Sequence, residues 1–258
     1  MNKIGSILGL ILGLASIFGA FVMEGGSINT LFLVGPIMIV FGGTFAAVII
    51  GFGFEKFKKI FSLMKLAYFS KEYNLRKLIN NLVEFSIISR REGLLSLEKR
   101  LDTLDYIFPR KLIRFTIDGS DSSSLMEIAR TEMKMMQERH SSFQFIFVKM
   151  GGYAPTMGIL GTVMGLFLTL TNADANPDLL IKNIATAFIA TLWGVFSANM
   201  IWLPIGDKLK ECHLKEKHMM EISLEAALSL QGGEIPSLTK ARLVSMLPQS
   251  EQKDMIDI

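Results

Sequence analysis

The chain has 258 residues, of which 50% are hydrophobic, and its mean hydropathy is +0.40. Four uncharged runs of membrane length account for this composition, so a polytopic membrane protein is expected and a soluble enzyme is disfavoured. The net charge of +3 could suit a nucleic-acid partner, but the positions of the basic residues argue against one. The only cysteine, Cys212, excludes an intrachain disulfide, and the three histidines lack companions at metal-ligand spacing, so no metal site is expected.

The basic residues report the topology of the chain. If the N-terminus, the segment after Phe54 and the tail after Gly206 lie on one side, all of the 27 Lys and Arg residues except Lys182 lie there too. Positive residues collect on the cytoplasmic side of membranes. We therefore predict a multi-pass protein with both termini in the cytoplasm, membrane lipid around its spans and no nucleic-acid partner.

The first two apolar runs, Ile4 to Met23 and Gly25 to Phe54, are predicted to be membrane helices. The first lacks a clear cleavage site and is followed at once by the second, so we interpret it as a retained anchor. Its glycines recur at four-residue spacing, which provides a flat packing stripe: Gly5, Gly9 and Gly13. The second run contains Pro36 and the pair Gly42-Gly43, which predict a local bend.

The segment after the second run, Glu55 to Lys71, places lysines among aromatic and aliphatic residues. Such a segment is typical of a helix that lies along the membrane surface with its lysines at the headgroups. An ordinary helix of a cytoplasmic bundle fits equally well. The sequence leaves these two interpretations open.

Helical periodicity continues from Tyr73 to Arg139 and predicts a compact helical cytoplasmic domain. Breaks are expected at Phe108-Pro109 and at Asp118 to Ser124, where DGSDSSS supplies a turn and an N-cap. Whether the helix that follows continues into the third span is open.

The string SRREGLLSLEKR, Ser89 to Arg100, concentrates charges within this domain. Gly93 makes one straight helix uncertain, so the sequence does not fix whether Arg90 and Glu98 share a face. A solvated charged surface is the usual meaning of such a run.

The third and fourth runs form a hairpin, Met150 to Gly206, with a polar connector at Asn172 to Asn183. Each run has about 24 residues, roughly 36 Å of helix, which is enough for a hydrocarbon core of about 30 Å. Small and hydroxyl residues recur on one face of each: Pro155, Gly158, Gly161, Thr162, Gly165 and Thr169, then Ala187, Thr191, Gly194 and Ala198. Close helix packing and a wet path explain this pattern equally well.

The hairpin contains no motif for catalysis or for phosphate binding. The string GILGTVMG follows no strand and has no lysine, so it is not a phosphate loop, and no nucleophile and base occur together, so no enzyme is predicted. Neither run contains Asp, Glu, Lys, Arg or His, so the apolar core of each span has no ionisable side chain. Ion translocation normally needs an intramembrane carboxylate, which a partner helix would have to supply.

The tail from Asp207 is predicted to continue the fourth span as a charged amphipathic helix that Gly232-Gly233 ends. EIPSLTKARLVSMLP forms a further short element, and the residues from Gln249 are predicted to be frayed. The fold class is thus all-α, with four transmembrane helices and a helical cytoplasmic domain between spans 2 and 3. The predicted divisions are 1–54 (spans 1 and 2), 55–143 (cytoplasmic domain), 144–206 (the hairpin) and 207–258 (C-terminal helix and tail).

Four strings carry a family resemblance: GGYAPTMGILGTVMGL, ATLWGVFSANMIWLPIGDKLK, SRREGLLSLE and GEIPSLTKARLVSMLP. Together they resemble the MotA family of flagellar motor stator proteins, related to the ExbB and TolQ proteins, along nearly the whole chain. The resemblance implies a location in the bacterial cytoplasmic (inner) membrane. It also implies a homo-oligomer, understood to have five subunits, around two MotB-type proteins whose aspartate carries the ion.

The resemblance also assigns roles to individual residues. It implies that Pro155 lies beside the partner's aspartate, that Thr162 and Thr191 line the ion route, and that Pro204 ends the fourth span. Arg90 and Glu98 match the charged pair that engages the rotor protein FliG. No cofactor is implied, only a transported ion.

Protons are the predicted ion. Sodium-type relatives tend to place a second threonine directly before the position of Thr191, where this chain has Ala190, which offers no oxygen to a bare cation. A sodium-driven stator, an ExbB/TolQ-like energy transducer and a non-conducting membrane scaffold are the alternatives.

Overall fold

The structure, a computed structural model, describes residues 3–70, 72–171 and 177–256. All regular elements in this part of the chain are helical, which confirms the predicted all-α class. The α-helices are α1 (Lys3–Met23), α2 (Val34–Phe52), α3 (Phe54–Lys58), α4 (Ile60–Phe69), α5 (Leu75–Glu92), α6 (Ile107–Ile117), α7 (Ser122–Thr171), α8 (Pro177–Gln231), α9 (Pro236–Ser245) and α10 (Gln249–Ile256). Short 3-10 helices cover Ile28–Leu31 and Leu94–Thr103.

Four of these helices, α1, α2, α7 and α8, are long and apolar enough to cross a membrane. The open question about the third span is answered, because α7 runs for 50 residues without a break. The first five residues of the predicted polar connector, 172–176, lie outside the described residues.

The chain divides into two compact units. The first contains Met1–Ser70 and His140–Cys212, and the second contains Lys71–Arg139 and His213–Ile258. The end of α8 therefore packs with the domain that precedes α7. The four ranges predicted from the sequence describe positions relative to a bilayer, and they stay a prediction.

Aromatic side chains dominate the core of the first unit. Trp202 packs edge-on against Phe41 and Phe45, with ring centroids 6.3 and 5.9 Å apart. The indole N–H of Trp193 donates a 2.7 Å hydrogen bond to the carbonyl oxygen of Leu31, which anchors the segment before α2. A buried polar group of this kind needs a partner in a dry core.

Both helices with an internal irregularity contain a single π turn. In α2 it covers Met38–Gly42, in the region where a bend is predicted. In α8 it covers Ala198–Trp202, immediately before Pro204. Proline lacks an N–H and its ring crowds the carbonyl four residues earlier, so a wider turn at this point lets the helix continue.

The second unit packs α5, α6, α9 and the end of α8 around one cluster of aliphatic side chains. Gly93 ends α5 with a φ of +84°, a conformation that glycine adopts without strain. Arg90 consequently lies at the end of α5 and Glu98 in the following 3-10 helix, so they do not share one helix face.

The predicted break at Asp118 to Ser124 is confirmed. The helix α6 ends at Ile117, and the carboxylate of Asp121 accepts a 2.7 Å hydrogen bond from the backbone N–H of Ser124 in the first turn of α7. The break predicted at Phe108-Pro109 lies a few residues earlier, at residues 104–106, between the 3-10 helix that ends at Thr103 and α6. Because a proline in the first turn costs no helical hydrogen bond, α6 begins before it, at Ile107.

The prediction that the C-terminal residues are frayed is wrong for residues 249–256, and residues 257 and 258 lie outside the described residues. Residues 249–256 form α10, and the side chain of Met255 is 6% exposed and belongs to the core of the second unit. An ion pair between Arg76 and Glu251, 3.5 Å apart, adds a contact with α5. One well-placed apolar side chain thus orders a polar segment. The end of α8 at Gln231 agrees with the prediction that Gly232-Gly233 stops this helix.

Candidate functional site: the α7–α8 hairpin

Glycines allow α7 and α8 to approach until their backbones touch. A Cβ atom added to Gly158 would lie 2.9 Å from the carbonyl oxygen of Ala190, and one added to Gly194 would lie 2.7 Å from that of Ala154. Real Cβ atoms do not come this close to backbone atoms, and backbone atoms cannot move aside as a flexible side chain can. These two glycines therefore set the distance between the helices.

The contact continues along the hairpin through alanine methyl groups. A Cβ atom on Gly161 would meet the methyl group of Ala190 at 2.7 Å, and one on Gly165 would meet that of Ala187 at 2.7 Å. The packing interpretation of the small residues is thus confirmed. Ala190, the residue on which the predicted ion choice rests, is 1% exposed and faces α7.

Two half-buried threonines lie within this contact. The hydroxyl group of Thr162 is 3.1 Å from the carbonyl oxygen of Gly158 in its own helix and 3.0 Å from that of Ala187 in α8, and it is hydrogen-bonded to the hydroxyl group of Thr191. A hydroxyl group has one proton to donate and two lone pairs that accept. The threonine pair therefore links α7 to α8, and its hydroxyl oxygens can still accept a further hydrogen bond.

Pro155 is half-buried within α7, at the level where Gly194 approaches. A Cβ atom on Gly194 would lie 3.2 Å from the Cα atom of Pro155. Because proline has no N–H, the carbonyl of Gly151 lacks its usual helical donor. The structure thus places Pro155, Thr162 and Thr191 along one helix–helix contact, whereas Pro204 lies farther along α8, after the π turn.

Sequence reasoning missed two contributors to this unit. Ala154 supplies the carbonyl that meets Gly194, and Trp193 supplies the indole that holds Leu31. A tryptophan inside an apolar run was a usable signal, because its N–H needs a partner when buried. Ala154 carried no signal, because alanine is common in membrane helices.

The two charged residues predicted to contact a rotor lie in the second unit. Arg90 and Glu98 are both exposed, and the guanidinium group of Arg90 makes one long hydrogen bond, 3.4 Å, to the carbonyl oxygen of Gly233. Within the described ranges neither residue forms an ion pair. Both charges are therefore available to a partner.

The hairpin has no Asp, Glu, Lys, Arg or His at residues 150–171 or 184–206. Together with the four candidate spans, this defines a helical multi-pass membrane protein whose third and fourth spans pack backbone to backbone and hold no charge of their own.

Comparison with known proteins identifies the family. The chain belongs to the MotA/TolQ/ExbB proton channel family, which matches residues 99–222, and residues 7–92 match the motility protein A N-terminal family. Motility protein A of Bacillus subtilis is 33% identical over 96% of this chain and 92% of its own length. The resemblance predicted from the sequence motifs is thereby confirmed.

Two solved structures share the fold over nearly the full length. The C. jejuni MotAB structure has a TM-score of 0.90 at 28% identity and covers 96% of this chain and 97% of its own. The flagellar MotAB stator complex of Bacillus subtilis has a TM-score of 0.89 at 32% identity and covers 97% and 98%.

Proposed function

We propose that this chain is a stator subunit of the flagellar motor and that, with a MotB-type partner, it forms a channel that couples inward proton flow to torque. The observation that carries the proposal is the match of nearly the whole chain to the two MotAB structures. A relative named motility protein A favours this function over an ExbB/TolQ-like transducer or a non-conducting scaffold. The family is one of channel components and not of enzymes.

The partner completes the site. Since neither hairpin run contains an Asp or Glu residue, we assign the ion-carrying aspartate to the MotB-type protein and locate it beside Pro155. Several copies of this chain surround that partner in the bacterial cytoplasmic membrane, with both termini in the cytoplasm. The distribution of basic residues supports this orientation.

Ion binding is what permits movement in this mechanism. A charged carboxylate is costly at an apolar interface, and protonation removes that cost. Each elementary charge that crosses the membrane releases roughly 2.3 kcal/mol per 100 mV. This energy suffices to change the packing between subunits but not to unfold a helix.

The remaining hairpin residues have supporting roles in the proposal. Thr162 and Thr191 line the ion route with hydroxyl groups, and Pro204 marks the cytoplasmic end of the fourth span. Ala190, which is buried against α7, supplies no oxygen ligand, and this supports protons as the ion. Arg90 and Glu98 pass the movement to the rotor protein FliG through their exposed charges.

The central test is complementation of a strain that lacks its stator genes. This gene, expressed with its partner gene, should restore swimming, and Pro155→Leu should abolish swimming and proton flow while the complex still co-purifies. The control is Pro36→Ala. Pro36 lies in the first turn of α2, where the missing N–H of proline leaves no carbonyl inside the helix without a donor, so its replacement changes no hydrogen bond of the helix interior. Normal swimming with Pro155→Leu would refute the role given to Pro155.

The choice of ion has its own measurement. Swimming speed in sodium-free medium should equal the speed in sodium medium at the same membrane potential. A collapse of swimming without sodium would assign the protein to the sodium-driven alternative and leave the stator function intact.

A further inference from the structure

The helices α3 and α4 present aromatic and basic side chains in alternation on their outer face. Phe54, Phe61 and Phe69 are 55%, 63% and 71% exposed. Two exposed lysines fall between them, Lys58 and Lys65. The five positions are spaced by three or four residues, so they lie on one side of this segment.

The inner face of the same segment is already used. Ile60 and Ala67 are each 1% exposed and belong to the core that the membrane helices form. This packing fixes which way the segment faces. Its outer face has no cover within the described part of the first unit.

A second element adds the same two residue types. Phe145 is 48% exposed on α7, and the ammonium group of Lys149 lies 5.1 Å above its ring. Phe145 is also an edge-on neighbour of Phe52, the last residue of α2, with ring centroids 6.1 Å apart. Exposed aromatic and basic side chains of two elements thus occur at the end of a membrane-length helix.

The positive charge of this surface favours an anionic partner. From Phe54 to Ser70 the sequence has four lysines and a single acidic residue, Glu55, whose carboxylate lies 3.1 Å from the ammonium group of Lys58. Aromatic rings prefer the boundary between headgroups and acyl chains, and lysines beside them attract anionic headgroups.

We propose that this surface, formed by Phe54, Lys58, Phe61, Lys65, Phe69, Phe145 and Lys149, binds the anionic headgroups of the membrane leaflet that it touches. Its rings insert beside the acyl chains while its ammonium groups pair with lipid phosphates. The proposal favours the first of the two interpretations that the sequence leaves open for Glu55 to Lys71, a helix along the membrane surface. The proposal does not depend on which ion the protein conducts.

The first test measures how deeply residue 61 lies in the lipid bilayer. The full-length Phe61→Cys, Cys212→Ser variant, co-expressed with its partner and reconstituted in vesicles with phosphatidylglycerol, is spin-labelled at the new cysteine. The label should collide with dissolved oxygen and be shielded from a water-soluble nickel chelate. The matched control is Leu95→Cys in the same background, since Leu95 is 75% exposed in the second unit. Its label should give the opposite pattern.

Each other result of the depth measurement overturns the proposal. Nickel access equal to that of the Leu95→Cys control would show that the segment faces water. Shielding from both oxygen and nickel would show that protein covers the surface, as a second copy of this chain would do.

The second test measures lipid preference. Wild-type protein is reconstituted in an equimolar mixture of phosphatidylglycerol and phosphatidylcholine, purified, and assayed for the lipids that it retains. We expect it to prefer phosphatidylglycerol by roughly tenfold at low salt and less at high salt. The triple variant Lys58→Gln, Lys65→Gln, Lys149→Gln should lose this preference.

The control for lipid preference is Lys99→Gln, Lys134→Gln, Lys253→Gln, which removes the same charge from three exposed positions of the second unit. It should keep the preference of the wild type. Equal retention of both lipids by the wild type, or equal losses in the two triple variants, would refute recognition of anionic headgroups by this surface.

Discussion

Gly158 of α7 and Gly194 of α8 face each other so closely that a Cβ atom added to Gly194 would lie 3.1 Å from the Cα atom of Gly158. Packing of this kind replaces the hydrophobic effect as the main attraction between helices within a bilayer. The candidate ion path therefore depends on two residues that have no side chain.

Gly194→Val should separate α7 from α8 and abolish both assembly and ion flow. The new methyl groups would meet backbone atoms of Ala154 and Pro155, which cannot yield without moving the helix, so a loss of about 1–3 kcal/mol is expected. Thermal unfolding of the detergent-solubilised subunit measures the loss of stability, and co-purification with the partner measures assembly. The control is Gly9→Ala in α1, where nothing lies within 4 Å of the added atom. Equal stability of both variants would contradict the packing argument.

The threonine pair gives a prediction that separates structure from conduction. Thr191→Val keeps the shape and removes one hydroxyl group, while Thr162 keeps the carbonyl oxygen of Ala187, 3.0 Å away, as an acceptor. We expect the stability to fall by only about 0.6 kcal/mol, the average for interhelical hydrogen bonds in membranes. The proton flux, in contrast, should fall severalfold if the hydroxyl groups line the route. Flux measured in vesicles checks this, and Thr191→Ser should restore most of the flow.

The sequence predicted the small-residue faces of the hairpin but not which residues touch. Helical spacing places Gly158 and Gly165 on one face, and no alignment of α7 with α8 follows from either run alone. The match of Gly158 to Ala190 depends on how the two helices slide past each other, which packing along the whole hairpin decides. Gly93 shows the same limit. Its presence predicted that a straight helix is interrupted, but only the structure shows that Arg90 lies at the end of α5 and Glu98 in the 3-10 helix that follows.

Charge reversal at the second unit should reduce torque without reducing ion flow. Arg90→Glu and Glu98→Lys change exposed side chains that form no ion pair in the described part of the chain, so the free energy of unfolding should change by less than about 0.5 kcal/mol. Swimming speed and proton flux, measured in the same strains, test this separation. A compensating reversal in FliG should restore part of the torque. If neither reversal alters torque, the charges serve only as a solvated surface.

The N-cap of α7 should make its first turn sensitive to acid. The backbone N–H of Ser124, and then the hydroxyl group of Ser123, lower the pKa of Asp121 below its usual value. The contribution to stability is therefore complete above the unfolded pKa of about 3.9 and is lost as the pH falls through the lower folded pKa. The protection factors of the amides in the first turn of α7, which compare the observed exchange with the intrinsic rate at each pH, should fall over that range. Asp121→Ala should show low protection at every pH, and Asp121→Asn should remove the pH dependence of protection while keeping a partial cap.

The C-terminal helix should detach when its buried side chain, Met255, is replaced by a charged one. Met255→Asp places a charge where the side chain is 6% exposed in the core of the second unit, and a buried charge without a partner is costly. Because Pro248 separates α10 from α9, α10 can leave the core without unfolding the helix before it, so local opening is the cheaper response. Limited proteolysis should cut the variant within residues 249–256 while the remainder stays intact. The exposed neighbour provides the control, since Lys253→Gln should be cut no faster than the wild type. Global unfolding of Met255→Asp would show instead that α10 belongs to the cooperative core.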